Sequence, residues 1–344
     1  MSPVRIAVVG AGLIGRRHLG LLGADPDCEP AAVVDPDPAA RAALPGIPAY
    51  AELADMLAVV RPDGVIVASP NRFHAEHVLR CLAHGVPVLV EKPLADSVAD
   101  GLAMVEAAES AGVPLLVGHH RRHSPLLAAA RAVVRRGTLG RLVAVQGTAL
   151  FRKPDDYFER APWRARPGGG PILINLIHEI DNLRALCGDI TGVQATASGA
   201  TRGFAVEDTA AITLRFASGA LGTFLLSDAA ASARSWELTS REDPRFPWHE
   251  DEDCYVLAGT DGSLGVPTMR LRVYEGTPSW WEPLRTAVVP VEREDPLARQ
   301  LTHFRAVILG RQPPLVDGRE GLATLRTTLA VTDAVRTGEQ VEIG

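Results

Sequence analysis

Lysine is almost missing from this chain. Of its 35 lysine and arginine residues only Lys92 and Lys153 are lysine, which leaves 33 arginines. Whatever compositional bias removed lysine elsewhere spared these two positions. Cysteine is also sparse: Cys28, Cys81, Cys187 and Cys254 lie far apart, without the close pairs of zinc sites or the density of a secreted disulfide scaffold. No metal site is expected. Apolar runs of about 18 residues are absent, so no membrane span is expected. A basic excess is absent as well, because 41 acidic residues outnumber the 35 basic ones and the formal net charge is −6. With no basic patch there is no footprint for nucleic acid, and a small-molecule partner is favoured. Arg5 precedes an apolar run, but glycines at 10, 12 and 15 interrupt it in a way that suits a strand and turn better than a signal peptide. A cytoplasmic protein is the expectation.

What is present suits two domains, since single cores stop growing at roughly 250–300 residues and this chain has 344. Up to about residue 120, short apolar runs at 4–9, 31–35, 64–68, 86–90 and 114–117 alternate with helical stretches at 13–23, 51–58, 73–84 and 97–111. This alternation predicts a doubly wound parallel sheet, an α/β Rossmann domain, with functional loops gathered at the strand C-termini. Beyond a helix at about 126–136 the strands lengthen, as at 141–151 and 207–226, the latter broken by Ser218-Gly219. An α+β second domain with a large, mostly antiparallel sheet is expected, one face covered by helices at 174–187, 295–310 and 319–337. The expected domains are 1–122 for the dinucleotide and 123–344 for substrate binding and oligomerisation. A sheet covered on one face leaves an open apolar face, which predicts a homo-oligomer.

Gly10-Ala11-Gly12-Leu13-Ile14-Gly15 follows a strand and opens a helix, and Asp35 ends the next strand 20 residues after Gly15. That is the dinucleotide fingerprint in its required context: the glycines allow a tight turn, close approach of the pyrophosphate and close helix–strand packing, and the acid meets the adenosine ribose. A carboxylate there accepts from a free 2′-hydroxyl and repels a 2′-phosphate, so NAD is favoured over NADP, Arg41 being the nearest arginine.

Two residues suit the chemistry of alcohol oxidation, in which a proton must leave the hydroxyl as hydride departs. His178 lies on a predicted helix where Asn175, His178 and Asp181 are three apart and share a stripe, and an imidazole titrating near neutrality makes a suitable base. Lys92 falls at the end of a parallel strand, where an ammonium can stabilise developing alkoxide charge.

Ser69-Pro70-Asn71 with His74, Glu91-Lys92-Pro93, Trp163-Arg164, Gly168-Gly169-Gly170 and His178-x-x-Asp181 follow the fingerprint in order. In this arrangement the chain resembles the Gfo/Idh/MocA oxidoreductase family over nearly its whole length. The resemblance implies that Ser69, Pro70, Asn71 and His74 line the nicotinamide half of the cofactor with Glu91 and Lys92 beside them. It also implies a cis peptide before Pro93, Trp163 and Arg164 reaching the cofactor from the second domain, and a dimer or tetramer formed through the second-domain sheet. Many family members carry an aspartate four residues before the motif histidine; here that position is Ile174, followed by Asn175, which can bind a substrate hydroxyl but cannot act as a base. Either His178 works without that partner or Asp181 orients it. Within His119-His120-Arg121-Arg122-His123, where the family often has a polar residue and two arginines, His120 and Arg121 are the expected substrate contacts, and paired arginines favour a carboxylate-bearing substrate.

The resulting expectation is a dehydrogenase acting on a secondary alcohol of a sugar, polyol or related cyclic diol. A reductase of a carbonyl or imine on the same scaffold, and a non-catalytic dinucleotide-binding sensor, are the alternatives.

Overall fold

The computed structural model describes residues 2–344, which form two compact units. The first runs to His120 and takes up the chain again at Leu297–Leu325; the second comprises Arg121–Pro296 and Arg326–Gly344.

The first unit contains β1 (Val4–Val9), α1 (Leu13–Ala24), β2 (Cys28–Val34), α2 (Pro38–Ala42), β3 (Ala49–Tyr50), α3 (Leu53–Val60), β4 (Gly64–Val67), α4 (His74–Ala83), β5 (Val88–Val90), α5 (Val98–Ala111) and β6 (Leu115–Val117). Its strands make one parallel sheet in the order β3-β2-β1-β4-β5-β6, the arrangement of a dinucleotide-binding fold whose strand order reverses beside β1. β1, β4, β5 and β6 are almost continuously buried, because helices cover both faces; their runs of valine, isoleucine and leucine read accordingly. α5 begins where Ser97 accepts from the Asp100 amide and ends at Gly112 in the left-handed region.

The second unit contains α6 (Pro125–Arg135), β7 (Leu142–Leu150), α7 (Asp156–Glu159), α8 (Ile177–Cys187), β8 (Ile190–Ser198), β9 (Thr209–Phe216), β10 (Leu221–Ser227), α9 (Trp236–Thr239), β11 (Tyr255–Gly259), β12 (Gly262–Val266), β13 (Arg270–Val273) and β14 (Arg285–Val288). Further along lie α10 (Pro296–Ile308), α11 (Gly318–Thr337) and β15 (Val341–Glu342). The nine-stranded sheet has the order β14-β13-β12-β11-β7-β10-β9-β8-β15, and only the β7–β10 pair is parallel. Burial alternates along β9 and along β10 as far as Leu226, as a sheet with one covered face requires.

The structure departs from the expected division at its end. A single crossing at 122/123 would put α10 on the second sheet. Instead Leu301, Phe304 and Val307 belong to the first unit's core with Ile6, Val8 and Ile66, and Arg305 Nη1 bonds Asp25 at 3.0 Å and Asp27 at 2.7 Å. The apolar stripe of a helix says that it will be covered, not by which sheet. α11 contributes to the first unit up to Leu325, while Ala330, Val331 and Ala334 lie in the second core. Among the described residues no helix is long and apolar enough to cross a membrane.

Candidate active site

In the first unit the fingerprint turn is built by close backbone approach. Gly10 has φ +98°, and a Cβ there would lie 2.5 Å from the Ala68 carbonyl oxygen; one on Gly15 would lie 1.9 Å from the Gly10 carbonyl oxygen. Around Gly12 there is open space, and this residue caps α1 without any side chain bonding its first amides. Exposed helix N–H groups beside an uncrowded glycine suit a pyrophosphate. Leu13 is exposed beside them, and Ile14 is half-buried. Asp35 accepts from the Ala11 amide at 2.7 Å through one carboxylate oxygen and from the Asp37 amide at 2.9 Å through the other. It therefore ties the glycine turn to the tip of β2, and each oxygen retains a lone pair for a ribose hydroxyl. Arg41 curls back, donating to the carbonyls of Asp35 at 2.6 Å and Pro36 at 3.0 Å. A dinucleotide fits the geometry of this turn.

The ends of β4 and β5 carry the next group. Pro70 and Asn71 are exposed on the turn that leads into α4, and Ser69 Oγ pairs with His77 Nδ1 at 2.9 Å. Lys92 is half-buried just past β5, and Lys92–Pro93 is cis, as the resemblance implies. His74 opens α4 beside them. It is fully buried, with Nδ1 2.9 Å from the Pro93 carbonyl oxygen and Nε2 2.9 Å from that of Ser69. The ring thus lies between the Ser69 and Pro93 turns, and a neutral imidazole donates to one of these two carbonyls at a time. Glu91 is buried too, against His18 Nε2 at 2.7 Å. Burial raises its pKa, but the hydrogen bond and charge of His18, together with the charges of His120 and Lys92, outweigh that and hold the carboxyl below the ordinary range. His18, on the covered face of α1, carries no sequence signal that separates it from a core histidine.

In the second unit His178 and Asn175 stand on adjoining turns of different pitch. Ile172–Leu176 is a π-helical turn, α8 follows directly, and His178 is 9% exposed near its start. The Ile172 amide that opens the π turn donates to Glu207 at 3.0 Å. Asp181, one candidate for orienting His178, accepts from Arg122 Nε at 2.8 Å. Trp163 is half exposed, and Arg164 stacks over the Tyr157 ring at 3.7 Å while donating to its carbonyl at 2.8 Å. Asn175 Oδ1 accepts from Lys153 Nζ at 2.7 Å, a partner the sequence reading left unassigned.

Arg121, expected to touch substrate, is ion-paired within the second unit. The residue is 4% exposed, its guanidinium bonded to Glu179 at 2.6 Å and Glu237 at 2.5 Å and set over the Trp236 ring. Glu179 also accepts from the Tyr255 hydroxyl. With Arg121 held by two carboxylates and Arg122 by Asp181, both guanidinium groups already have carboxylate partners within the second unit. His120, in a short 3-10 turn that ends at His123, is half-buried in the first unit.

Fold and turn together define a dinucleotide-dependent oxidoreductase. Residues 4–119 match the NAD-binding Rossmann domain of an oxidoreductase family, and residues 127–265 match the GFO/IDH/MocA C-terminal domain. The chain is 30% identical to the D-apiose dehydrogenase of Paraburkholderia graminis over 98% of its own length and 89% of the relative's. It is also 30% identical to the 1,5-anhydro-D-fructose reductase of Ensifer adhaerens, over 82% of its length and 80% of the relative's. The WlbA dehydrogenase of Chromobacterium violaceum, solved with NADH and UDP-GlcNAcA, superimposes with a TM-score of 0.80 at 27% identity, covering 100% of this chain and 97% of that one. This chain belongs to the Gfo/Idh/MocA family of NAD(P)-dependent oxidoreductases.

Proposed function

We propose that this enzyme transfers a hydride between NAD and a secondary alcohol of a neutral sugar, polyol or related cyclic diol. The supporting observation is the coexistence of an NAD-type cradle, Gly10 to Gly15 tied to Asp35, with a lysine at a strand end and a histidine at a helix start. NAD supplies the hydride acceptor. His178 takes the hydroxyl proton, Lys92 stabilises the oxygen as its charge develops, and Asn175 bonds a substrate hydroxyl. Pro70, Asn71, Glu91, Trp163 and Arg164 complete the cofactor surroundings by family resemblance, and His120 remains a candidate substrate contact. NAD is favoured over NADP because Asp35 offers its carboxylate to the ribose, while Arg41 is turned onto backbone carbonyls.

D-apiose, inositol and glucoside dehydrogenases among the relatives favour a sugar-like substrate. The relationship to a 1,5-anhydro-D-fructose reductase favours the reverse direction as the second reading, run by the same residues. The test is NADH absorbance with D-apiose, myo-inositol and methyl glucosides plus NAD, and NADH consumption with 1,5-anhydro-D-fructose. Turnover with a member of this set supports the reading. NADH binding without turnover on any of them would replace it with a dinucleotide-binding sensor.

We also propose that a second copy of the chain covers the open face of the nine-stranded sheet, giving a homodimer or homotetramer in the cytoplasm. Leu221 is 61% and Leu225 39% exposed there, on the face that also carries Ala144, Gln146, Thr213, Thr223 and Val256.

A further inference from the structure

The second of the chain's two lysines lies between β7 and α7, its side chain 10% exposed. Lys153 Nζ donates to Asn175 Oδ1 at 2.7 Å and lies 3.4 Å from Asp228 Oδ2. The rings of Tyr157 and Phe151 flank it, their centroids 4.8 and 5.7 Å from the nitrogen. Asp228 is itself fixed, accepting from Arg202 Nε at 2.9 Å. The result is a directed chain: Arg202 holds the carboxylate, the carboxylate holds the ammonium, and the ammonium holds the amide.

A side-chain amide has an acceptor end and a donor end of nearly the same shape, so an asparagine in a polar site can present either one. An ammonium has donors only. Its bond to Oδ1 therefore fixes which end is used inward and leaves the Nδ2 hydrogens as the end available to a ligand. Asn175 occupies the π turn immediately before α8, three residues ahead of His178, and π turns recur at functional sites.

We propose that Lys153 is a positioning residue for the substrate contact: it locks the Asn175 amide with its oxygen inward and its NH2 group toward the substrate, selecting a substrate oxygen that accepts a hydrogen bond. The substrate contact rests on the function proposed above, whereas the Lys153–Asn175 coupling is independent of it. Lysine suits the position because a compact ammonium can reach one carboxylate oxygen and one amide oxygen between two rings, where a planar guanidinium would need more room. This explains why lysine persists here in a chain whose basic residues are nearly all arginine. Burial pushes the Lys153 pKa below its ordinary value of 10.5, with Asp228 and Glu237 opposing that shift and Arg164 adding to it. The amide of Asn175 must then sense a titration that begins below the usual lysine range.

Two measurements test this. In the 15N-labelled protein the side-chain NH2 resonances of Asn175, assigned by their loss in Asn175→Ala, are followed as pH is raised. They are expected to move with a midpoint below 10.5 and to stay still in Lys153→Met. A resonance that does not move in the wild-type protein overturns the proposal, even if the lysine variant fails to fold. The second measurement is a double-mutant cycle on kcat/KM with the best substrate of the set above. Lys153→Met should cost about tenfold in the wild-type background, the usual scale for a charge-assisted hydrogen bond, and less than about twofold in Asn175→Ala. Additive losses would mean that Lys153 acts on the substrate or the fold directly, and would overturn the positioning role. If the wild-type enzyme turns over nothing in the set, the proposed function fails while the resonance titration still decides the coupling.

Discussion

His18 Nε2 lies 2.7 Å from a carboxylate oxygen of Glu91, with both side chains removed from solvent. This bond joins α1, the helix that opens at the glycine turn, to the end of β5 immediately before Lys92. Removing one partner leaves the other buried without its counterpart, which typically costs about 3–5 kcal/mol. His18→Leu is expected to lose stability of that order in urea unfolding, and Glu91→Gln, which removes the charge as well, to lose less. Glu91 is held below its ordinary pKa, so its contribution is present at neutral pH and disappears as pH falls through the folded-state value. Acid sensitivity should therefore be weaker in Glu91→Gln. A His18→Leu protein within about 0.5 kcal/mol of wild type would contradict the pairing.

The proposed preference for NAD rests on Asp35. The wild-type enzyme is expected to have a higher kcat/KM with NAD than with NADP, and Asp35→Ser should narrow the difference by removing repulsion of the 2′-phosphate. Because Asp35 also anchors the Ala11 amide, the same variant should bind NAD more weakly. An NADP preference in the wild-type enzyme would overturn the assignment of Asp35.

Glu242 gives stability a pH dependence unrelated to catalysis. Burial raises its pKa to about 7, against the hydrogen bonds from Ser124 and Trp236. A carboxyl whose folded-state pKa is raised favours the folded state fully below its unfolded value of 4.5, and that contribution is lost as pH rises through about 7. The amount at stake is about 3 kcal/mol at ~1.36 kcal/mol per unit. Glu242→Gln is expected to gain stability relative to wild type as pH goes from about 5 to 8. Parallel melting curves for the two proteins across that range would remove this account.

The open sheet face is tested in solution. Sedimentation at micromolar concentration should find a dimer or tetramer, and Leu221→Glu should shift it toward monomer without loss of fold. A wild-type monomer would contradict the proposed packing.

The parallel sheet was readable from the sequence because valine-rich runs buried on both faces and the Gly10–Gly15 fingerprint are local signals. Helix α10 was assigned to the wrong unit because periodicity records that Leu301 and Phe304 are covered, not what covers them. For His74 and Arg121 the motifs suggest ligand contacts but name no partner within the fold. Their actual partners, the Ser69 and Pro93 carbonyls and the Glu179 and Glu237 carboxylates, come from segments up to 116 residues away. Lys153 did carry a signal, its rarity, but rarity names no partner. The contact with Asn175 depends on where β7 delivers the chain after Leu150, which no local pattern specifies.

The proposed function turns on His178 accepting the substrate proton in an NAD-dependent oxidation. Its most direct test is kcat of His178→Ala at saturating NAD and substrate in a chemistry-limited assay, with NADH affinity measured in parallel by fluorescence. A positioned base contributes typically about 10²–10⁴-fold, so kcat should fall by that factor while the NADH Kd stays within about twofold. An unchanged kcat would contradict the proton-transfer role.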